Sequence, residues 1–228
     1  MPKPNCIGLI AVVFGLLSAA SAQYGGIHYS ISIQGEKPLP LNPGYLRDYF
    51  KSPAAFAGEI RFGASEKSFL AFHFAFPRFK LDGNRFIRQK PMMTGSEWIS
   101  AKGGIEIDEG SMDFIRIFIQ SEGGTSLYGI TGIGFYRIVP RDIVVKTKIV
   151  VPEEPVSEFT IDLGEEENRF AFNVGLGIET LIFGSVGLFG EAKYHYISTK
   201  VNKSAFTSLR TNGNIGFWAP CIGLRLNM

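Results

Sequence analysis

Apolar and polar side chains alternate with a period of two along most of this chain. The clearest example is the segment 169–180 (RFAFNVGLGIET), in which every second residue is large and apolar and the residues between are mostly small or polar. Successive residues of a β-strand point to opposite faces, so this period predicts a strand with one apolar face and one polar or small face. The apolar face of this segment consists of Phe170, Phe172, Val174, Leu176 and Ile178.

The same alternation recurs along the chain and predicts eight strands. Outward-facing apolar pairs such as Ile31 with Ile33 and Leu224 with Leu226 alternate with polar or small residues. The predicted strands occupy residues 27–34, 55–63, 68–81, 111–120, 126–139, 169–180, 186–198 and 213–226.

One of these strands, 126–139, has mostly apolar residues on both faces, whereas the strand 111–120 is taken to alternate like the others. In the strand 111–120 the isoleucines are assigned to the apolar face and Arg116 to the polar face. In the strand 126–139 the assignment is chosen to send Thr131 and Arg137 to the polar face. A shift of one residue would reverse every side chain of such a strand. The residues assigned to the apolar face are Ile115, Ile117, Ile119, Tyr128, Ile130 and Tyr136.

Short and long connections alternate between the predicted strands. The segments 64–67, 121–125 and 181–185 are short, whereas 35–54, 82–110, 140–168 and 199–212 are long. Bacterial outer-membrane barrels combine short periplasmic turns with long external loops, and their tilted strands need roughly 9 to 11 residues to cross the membrane. The pattern therefore predicts an all-β fold, an eight-stranded antiparallel up-and-down transmembrane β-barrel.

Two of the long connections contain patterns of their own. Residues 143–151 (IVVKTKIVV) also alternate, which predicts that the barrel wall extends beyond the membrane as a hairpin. Residues 43–51 predict a short helix or turn, with Tyr45, Tyr49 and Phe50 packing at the mouth of the barrel. Acidic residues of the loop 140–168 suit either solvation or divalent cations that bridge lipopolysaccharide.

The N-terminus has the pattern of an export signal. Lys3 precedes the apolar run 7–17 (IGLIAVVFGLL), which is too short for a spanning helix, and Ala20-Ser21-Ala22 has the small residues of a cleavage site. We therefore expect residues 1–22 to be a cleaved signal peptide and residues 23–228 to form a single barrel domain. Cleavage would leave Cys221 as the only cysteine, so an internal disulfide cannot stabilise the domain.

The sequence is similar to a known family in the segments LYGITGIGFYR (127–137) and FWAPCIGLRLNM (217–228). These resemble strands of the small eight-stranded outer-membrane β-barrels of Gram-negative bacteria, which include the N-terminal domain of outer-membrane protein A. The resemblance implies the bacterial outer membrane as the location. It implies outer-membrane lipid, lipopolysaccharide and the outer-membrane assembly machinery as partners. A formal net charge of +2 gives no basic field for nucleic acid.

Charged residues are predicted to fill the interior. The interior of an eight-stranded barrel is just wide enough for side chains, and isolated charges there would be costly, so opposite charges should pair. This lumen charge network is expected to be structural. Its predicted members are Glu59, Arg61, His73, Arg116, Glu179, Glu191, Lys193 and Arg225.

Catalytic, metal and cofactor sites are not predicted. His28 and His195 lie at opposite ends of their strands, on the order of 20 Å apart, so they cannot share one metal ion. Ser198 has the opposite parity to His195, which rules the pair out as a nucleophile and base on one face. The glycines at 132–134 and 175–177 form only G-x-G, without the remaining features of a dinucleotide site.

Two classes of function remain open from the sequence. The first is a structural or surface-interaction barrel that acts through its external loops. The second is a small-barrel lipid-modifying enzyme or a carrier of hydrophobic solutes, which would need a catalytic pair at the outer rim or a gap through the interior charges. A secreted ligand-binding barrel like a lipocalin is a less favoured alternative, because its apolar faces would have to point inward.

Overall fold

The computed structural model describes residues 28–89, 96–149, 156–198 and 214–228 as one antiparallel β structure with two short helices. The predicted signal peptide lies outside these described residues. The strands are β1 (Tyr29–Glu36), β2 (Leu39–Asn42), β3 (Phe50–Lys51), β4 (Ala55–Ser65), β5 (Ser68–Ala75), β6 (Arg78–Leu81), β7 (Ser96–Gln120), β8 (Thr125–Ile149), β9 (Ser157–Ile161), β10 (Glu167–Phe183), β11 (Val186–Ser198) and β12 (Asn214–Asn227). The helices are α1 (Gly44–Tyr49) and α2 (Gly83–Gln89).

Eight of the strands form a closed ring. Its order is β1-β4-β5-β7-β8-β10-β11-β12, and β12 pairs back with β1 through pairs such as Ile31 with Leu226. Every neighbouring pair is antiparallel. The predicted eight-stranded up-and-down barrel is therefore confirmed. Neither helix of the described residues has the length and hydropathy to span a membrane.

The two ends of the ring differ. Short turns at 66–67, 121–124 and 184–185 lie at one end, which we call the turn end; the long connections lie at the other, the loop end. Gly124 and Gly184 have positive φ angles of 77° and 53°, a conformation that favours glycine in tight turns. Residues 29 and 228 exchange backbone hydrogen bonds at the turn end, so the first and last described strands meet there.

Apolar side chains cover the outside of the ring. Along β10, Phe170, Phe172, Val174, Leu176 and Ile178 are all more than half exposed, while the residues between them are buried except at the strand ends. The outward rows of β1, β5 and β12 follow the predicted faces in the same way. The outside of the ring is therefore an apolar belt, whose residues would be in contact with hydrocarbon in a membrane.

The predicted faces of β7 and β8 are wrong. Ile115 is fully buried inside the ring and contacts Tyr128 and Ile130, which the sequence had placed outside. Tyr136 is also internal, whereas Arg137 is exposed. Both strands carry apolar residues on each face, so hydrophobicity does not determine their orientation. The tyrosines lie inside because their hydroxyl groups find polar partners there.

The wall of the barrel continues well beyond the apolar belt on one side. Strands β7 and β8 are 25 residues long, and their pairing runs from the turn end to Ser96 opposite Ile149. The predicted hairpin extension is therefore present, but the prediction that all of 82–110 is a loop is wrong. Strands β3, β6 and β9 add to this extension and form, with β7 and β8, a sheet that we call the outer sheet.

An apolar cluster closes the loop end of the barrel. Helix α1 places Tyr45 and Leu46 in this cluster, Phe50 follows directly, and Tyr49 packs against it. Tyr45, Tyr49 and Phe50 are therefore at the mouth of the barrel, as predicted. Phe79 packs edge-on against Phe217 with ring centroids 5.6 Å apart. Burial raises the pKa of Tyr45 to about 12. We call this cluster, which also includes Phe86, Ile105, Ile107 and Ile215, the mouth core.

The apolar belt leads to a test of which face meets hydrocarbon. Val174 is near the middle of β10, and Val186 begins β11 beside the short turn. Arginine at the centre of a bilayer costs about 2 to 4 kcal/mol and about 0 to 1 kcal/mol near its boundary. We expect Val174→Arg to lower the free energy of unfolding by the larger amount and Val186→Arg by the smaller. Urea unfolding in lipid vesicles measures both, and equal losses would contradict a hydrocarbon-facing Val174.

Candidate functional site

The interior of the ring is filled with charged and polar side chains at the level of the apolar belt. Strand alternation places them there, because each is preceded and followed by an outward-facing residue. They form three connected groups along the barrel axis: an arginine group near the turn end, a lysine group in the middle, and a histidine group below the mouth core.

The arginine group joins two guanidinium groups to three carboxylates. Arg61 forms ion pairs with Glu59 and, at 2.5 Å, with Glu191. Arg225 forms ion pairs with Glu179 and, at 3.1 Å, with Glu59. Both arginines are nearly inaccessible to solvent. Arg225 is also 3.4 Å from Glu191, so the carboxylates of Glu59 and Glu191 both lie between the two cations.

Aromatic rings complete the arginine group. The guanidinium of Arg61 lies 4.8 Å from the centroid of the Tyr128 ring, and that of Arg225 lies 4.0 Å from the Phe189 centroid. Such cation–π contacts offset part of the cost of removing the cations from water. The Tyr128 hydroxyl also donates a hydrogen bond of 2.7 Å to Glu191.

A glycine makes room for one of these rings. Gly177 is directly opposite Tyr128 in the β8–β10 ladder. A Cβ atom at Gly177 would lie 2.4 Å from the Tyr128 ring, so any other residue would displace the tyrosine. The inward glycines of β10 thus determine where large neighbours fit, as expected for a narrow barrel.

Lys193 is the centre of the lysine group. Its ammonium nitrogen is 3.2 Å from Asp113 and 3.7 Å from both Glu59 and Glu191. The amide of Asn173 donates a 2.9 Å hydrogen bond to the other oxygen of Asp113. The lysine therefore links the arginine group to β7, and its charge is neutralised on three sides.

The histidine group lies between the lysine group and the mouth core. The two ring nitrogens of His73 are 3.1 Å from Glu36 and 3.2 Å from Glu109. Gln34 donates a 2.8 Å hydrogen bond to Glu36. His195 contacts Glu109 at 3.4 Å and stacks on Phe217, with centroids 4.7 Å apart. His195 is thus the junction between the polar interior and the mouth core.

Seven of the eight residues predicted for the lumen charge network lie together in the interior. Glu59, Arg61, Glu179, Glu191, Lys193 and Arg225 form one continuous set of contacts, and His73 lies in the histidine group above them.

The prediction for the eighth residue, Arg116, is wrong. Arg116 is exposed on the outer face and donates a 2.5 Å hydrogen bond to the Ser68 hydroxyl. The reversed face of β7 is the reason, since Asp113 and Ile115 take the inward positions on that strand.

Sequence reasoning missed interior polar residues of two kinds. Glu36 and Glu109 were assigned to loops, although Glu36 continues the inward parity of Ser32 and Gln34. Asp113 and Tyr128 were not predicted to be internal, because the predicted faces of β7 and β8 are reversed in the structure. A charge at 113 between Met112 and Phe114 is the signal that gives the correct face, because a carboxylate in hydrocarbon is costly.

The candidate pair of His195 and Ser198 is not brought together for acid–base chemistry. His195, the candidate base, accepts or donates a 2.7 Å hydrogen bond with the Tyr136 hydroxyl and is buried. Ser198 is exposed and does not share its face. Within the described ranges, no set of three or more His, Cys, Asp or Glu side chains is placed to hold a metal ion.

Comparison with solved structures finds small outer-membrane β-barrels. The N-terminal β-barrel domain of OprF from Pseudomonas aeruginosa is 12% identical, with 88% of this chain and 97% of that chain covered and a TM-score of 0.43. Ail, the attachment invasion locus protein of Yersinia pestis, is 16% identical, with 87% and 98% covered and a TM-score of 0.45.

A third similar structure is the outer membrane protein OprG from Pseudomonas aeruginosa. It is 10% identical, with 89% of this chain and 96% of that chain covered and a TM-score of 0.44. No protein-family model and no curated protein sequence matches this chain.

The interior network can be tested by comparing Arg61, which lies inside the ring, with Arg116, which lies outside it. Removing one partner of a buried ion pair costs about 3 to 5 kcal/mol, whereas exposed pairs contribute at most about 1 kcal/mol. We expect Arg61→Met to lower the free energy of unfolding by the larger amount and Arg116→Met by no more than the smaller. Adding Glu191→Gln to Arg61→Met should recover part of the loss. Equal losses for the two single variants would contradict the assignment of Arg116 to the outside.

Proposed function

We propose that this chain is a structural and surface-interaction barrel of the bacterial outer membrane. Residues 1–22 would direct its export and be removed, and residues 23–228 would be inserted by the outer-membrane assembly machinery. In this orientation the turn end faces the periplasm and the loop end faces the outside. The outer sheet then projects from the cell.

The observation that carries the proposal is the inverted distribution of polarity. The ring exposes large apolar residues such as Ile33, Phe56 and Phe170 and encloses ion pairs such as Arg225 with Glu59. A water-soluble barrel of this size would expose the charges and enclose the apolar residues. Hydrocarbon around the ring is the environment in which this arrangement is stable.

A surface-interaction role is favoured over transport by the closure of the interior. Along the axis, Arg61, Glu191 and Lys193 are joined by ion pairs, and the pair of His195 with Glu109 lies above them. Above them, the mouth core fills the loop end with side chains that are almost entirely buried. A solute carrier would need a passage through both layers. The large exposed feature that remains is the outer sheet with its connections.

An enzymatic role has no corresponding support in the described residues. A lipid-modifying barrel would hold its reactive side chains near the outer rim, within reach of a lipid. Tyr136 and His195 lie at that height, but both are buried and hydrogen-bonded to each other. We therefore assign the loop end a binding role.

Cell fractionation tests the proposal directly. We expect the full chain, expressed in a Gram-negative host, to be recovered from the outer membrane without the leader. The folded barrel should migrate differently on a denaturing gel before and after boiling, because its closed ladder resists detergent. Recovery as a soluble periplasmic or secreted protein would contradict the proposal.

Electrical recording tests the closed interior. We expect the purified protein to give no long-lived conductance steps in a planar lipid bilayer, since the ion-paired interior and the mouth core leave no continuous water path. A large porin inserted in the same bilayer serves as the positive control. Stable conductance from this chain would favour the transport alternative.

A further inference from the structure

A pocket lined by four lysines opens on the outside of the barrel near the loop end. Its volume is about 600 Å³, and its basic residues are Lys37, Lys51, Lys80 and Lys102. Strands β3, β6 and β7 provide three of them, and Lys37 follows β1. We call this the lysine pocket.

The lysines lie on the outer face of the wall. Phe50, Phe79 and Ala101, which precede three of them in the sequence, are buried in the mouth core. Neighbouring residues of a strand point to opposite faces, so Lys51, Lys80 and Lys102 point away from the core. All four lysines are exposed.

The pocket lies just beyond the apolar belt. On β1 and the residue after its end, Ile31, Ile33, Gly35 and Lys37 share the outward parity. Along the wall after β5, the exposed Phe76 is followed four residues later by Lys80, which is about 13 Å along a strand. The lysines are thus at the height of lipid headgroups on the loop side of the membrane.

The pocket has an excess of positive charge. Lys51 is directly opposite Lys80 in the β3–β6 ladder, and like charges in this position destabilise a sheet. Asp82 is the one carboxylate among the pocket residues, and it is engaged by Lys51 at 2.6 Å. Lys37 donates a 2.6 Å hydrogen bond to the carbonyl of Ser52. No ion pair joins Lys80 or Lys102 to another residue in the described part of the chain.

We propose that the lysine pocket binds the phosphate groups on the saccharide headgroup of an outer-leaflet glycolipid. Lysine binds phosphate as a mobile point charge, and basic clusters at membrane level recognise anionic headgroups. A phosphate between Lys80 and Lys102 would supply the missing negative charge and relieve the repulsion across the ladder. Leu81 and Ile99 add apolar surface to the same pocket. This assignment rests on the proposed outer-membrane location.

Calorimetric titration of the detergent-solubilised, folded protein tests the proposal. The probes are lipid A with both phosphates, the same lipid with its phosphates removed, and inorganic pyrophosphate. We expect the phosphorylated lipid to bind more tightly than the phosphate-free lipid. The double variant Lys80→Gln/Lys102→Gln should weaken this binding by about 30-fold, from the contribution of two lysines near an anionic surface.

A matched control removes the same charge at a distance from the pocket. Lys67, in the turn after β4, and Lys148, near the end of β8, are exposed and do not line the pocket. We expect Lys67→Gln/Lys148→Gln to leave the affinity for lipid A unchanged. Equal losses in the two double variants, or equal binding of the phosphate-free lipid, would overturn the proposal.

The remaining measurements distinguish a lipid from a soluble phosphate compound as the ligand, and show whether each variant is folded. Pyrophosphate that binds as tightly as lipid A, through the same two lysines, would assign the pocket to a soluble phosphate compound and overturn the lipid assignment. Heat-dependent gel migration of each variant shows that it is folded, and Lys80→Gln should not lower thermal stability because it removes a like-charge pair. Absence of the wild-type chain from the outer membrane would reject the proposed location, whatever the titration shows.

Discussion

The structure depends on the requirement that backbone N–H and C=O groups be hydrogen-bonded wherever water is absent. In hydrocarbon a sheet can meet this requirement only by closing on itself. Here β12 returns to pair with β1, and the ring of eight leaves no free edge at the level of the apolar belt. Closure with eight strands also makes the interior narrow, and this width limits which side chains can point inward.

A narrow, dry interior explains why its charges occur in mixed groups. Each interior cation contacts more than one carboxylate, as Lys193 does with Asp113, Glu59 and Glu191. A buried ion pair is weak support for stability in itself, because desolvation offsets much of the attraction. What the network provides is a unique packing: the Tyr128 ring fits only against Gly177, and its hydroxyl meets Glu191.

The sequence predicted the ring, five of its strand positions to within a few residues, and most of the interior charges, because strict alternation leaves one choice of face. The predicted strand 68–81 is divided into β5 and β6. It failed where both faces of a strand are apolar. Ile115 and Phe114 are equally hydrophobic, and only the partners across the interior decide which one is buried. The sequence also did not predict the long pairing of β7 and β8, because charged residues such as Glu106 and Arg141 are typical of loops. In the structure these two side chains form an ion pair of 3.1 Å across the strands. The lysine pocket joins residues distant in sequence and has no local pattern.

The outer sheet extends the barrel well beyond the apolar belt. If about 11 of the 25 residues of β7 cross the membrane, the remainder rises on the order of 35 Å above it at the usual strand tilt, which exceeds the height of the apolar belt itself. This projection is a hydrogen-bonded plate and not a set of free loops. The ordering entropy of its strands is therefore lost when the protein folds, and a partner that binds its surface does not have to rigidify it. The outer sheet is therefore a stiff projection whose strands lie at a set distance from the apolar belt.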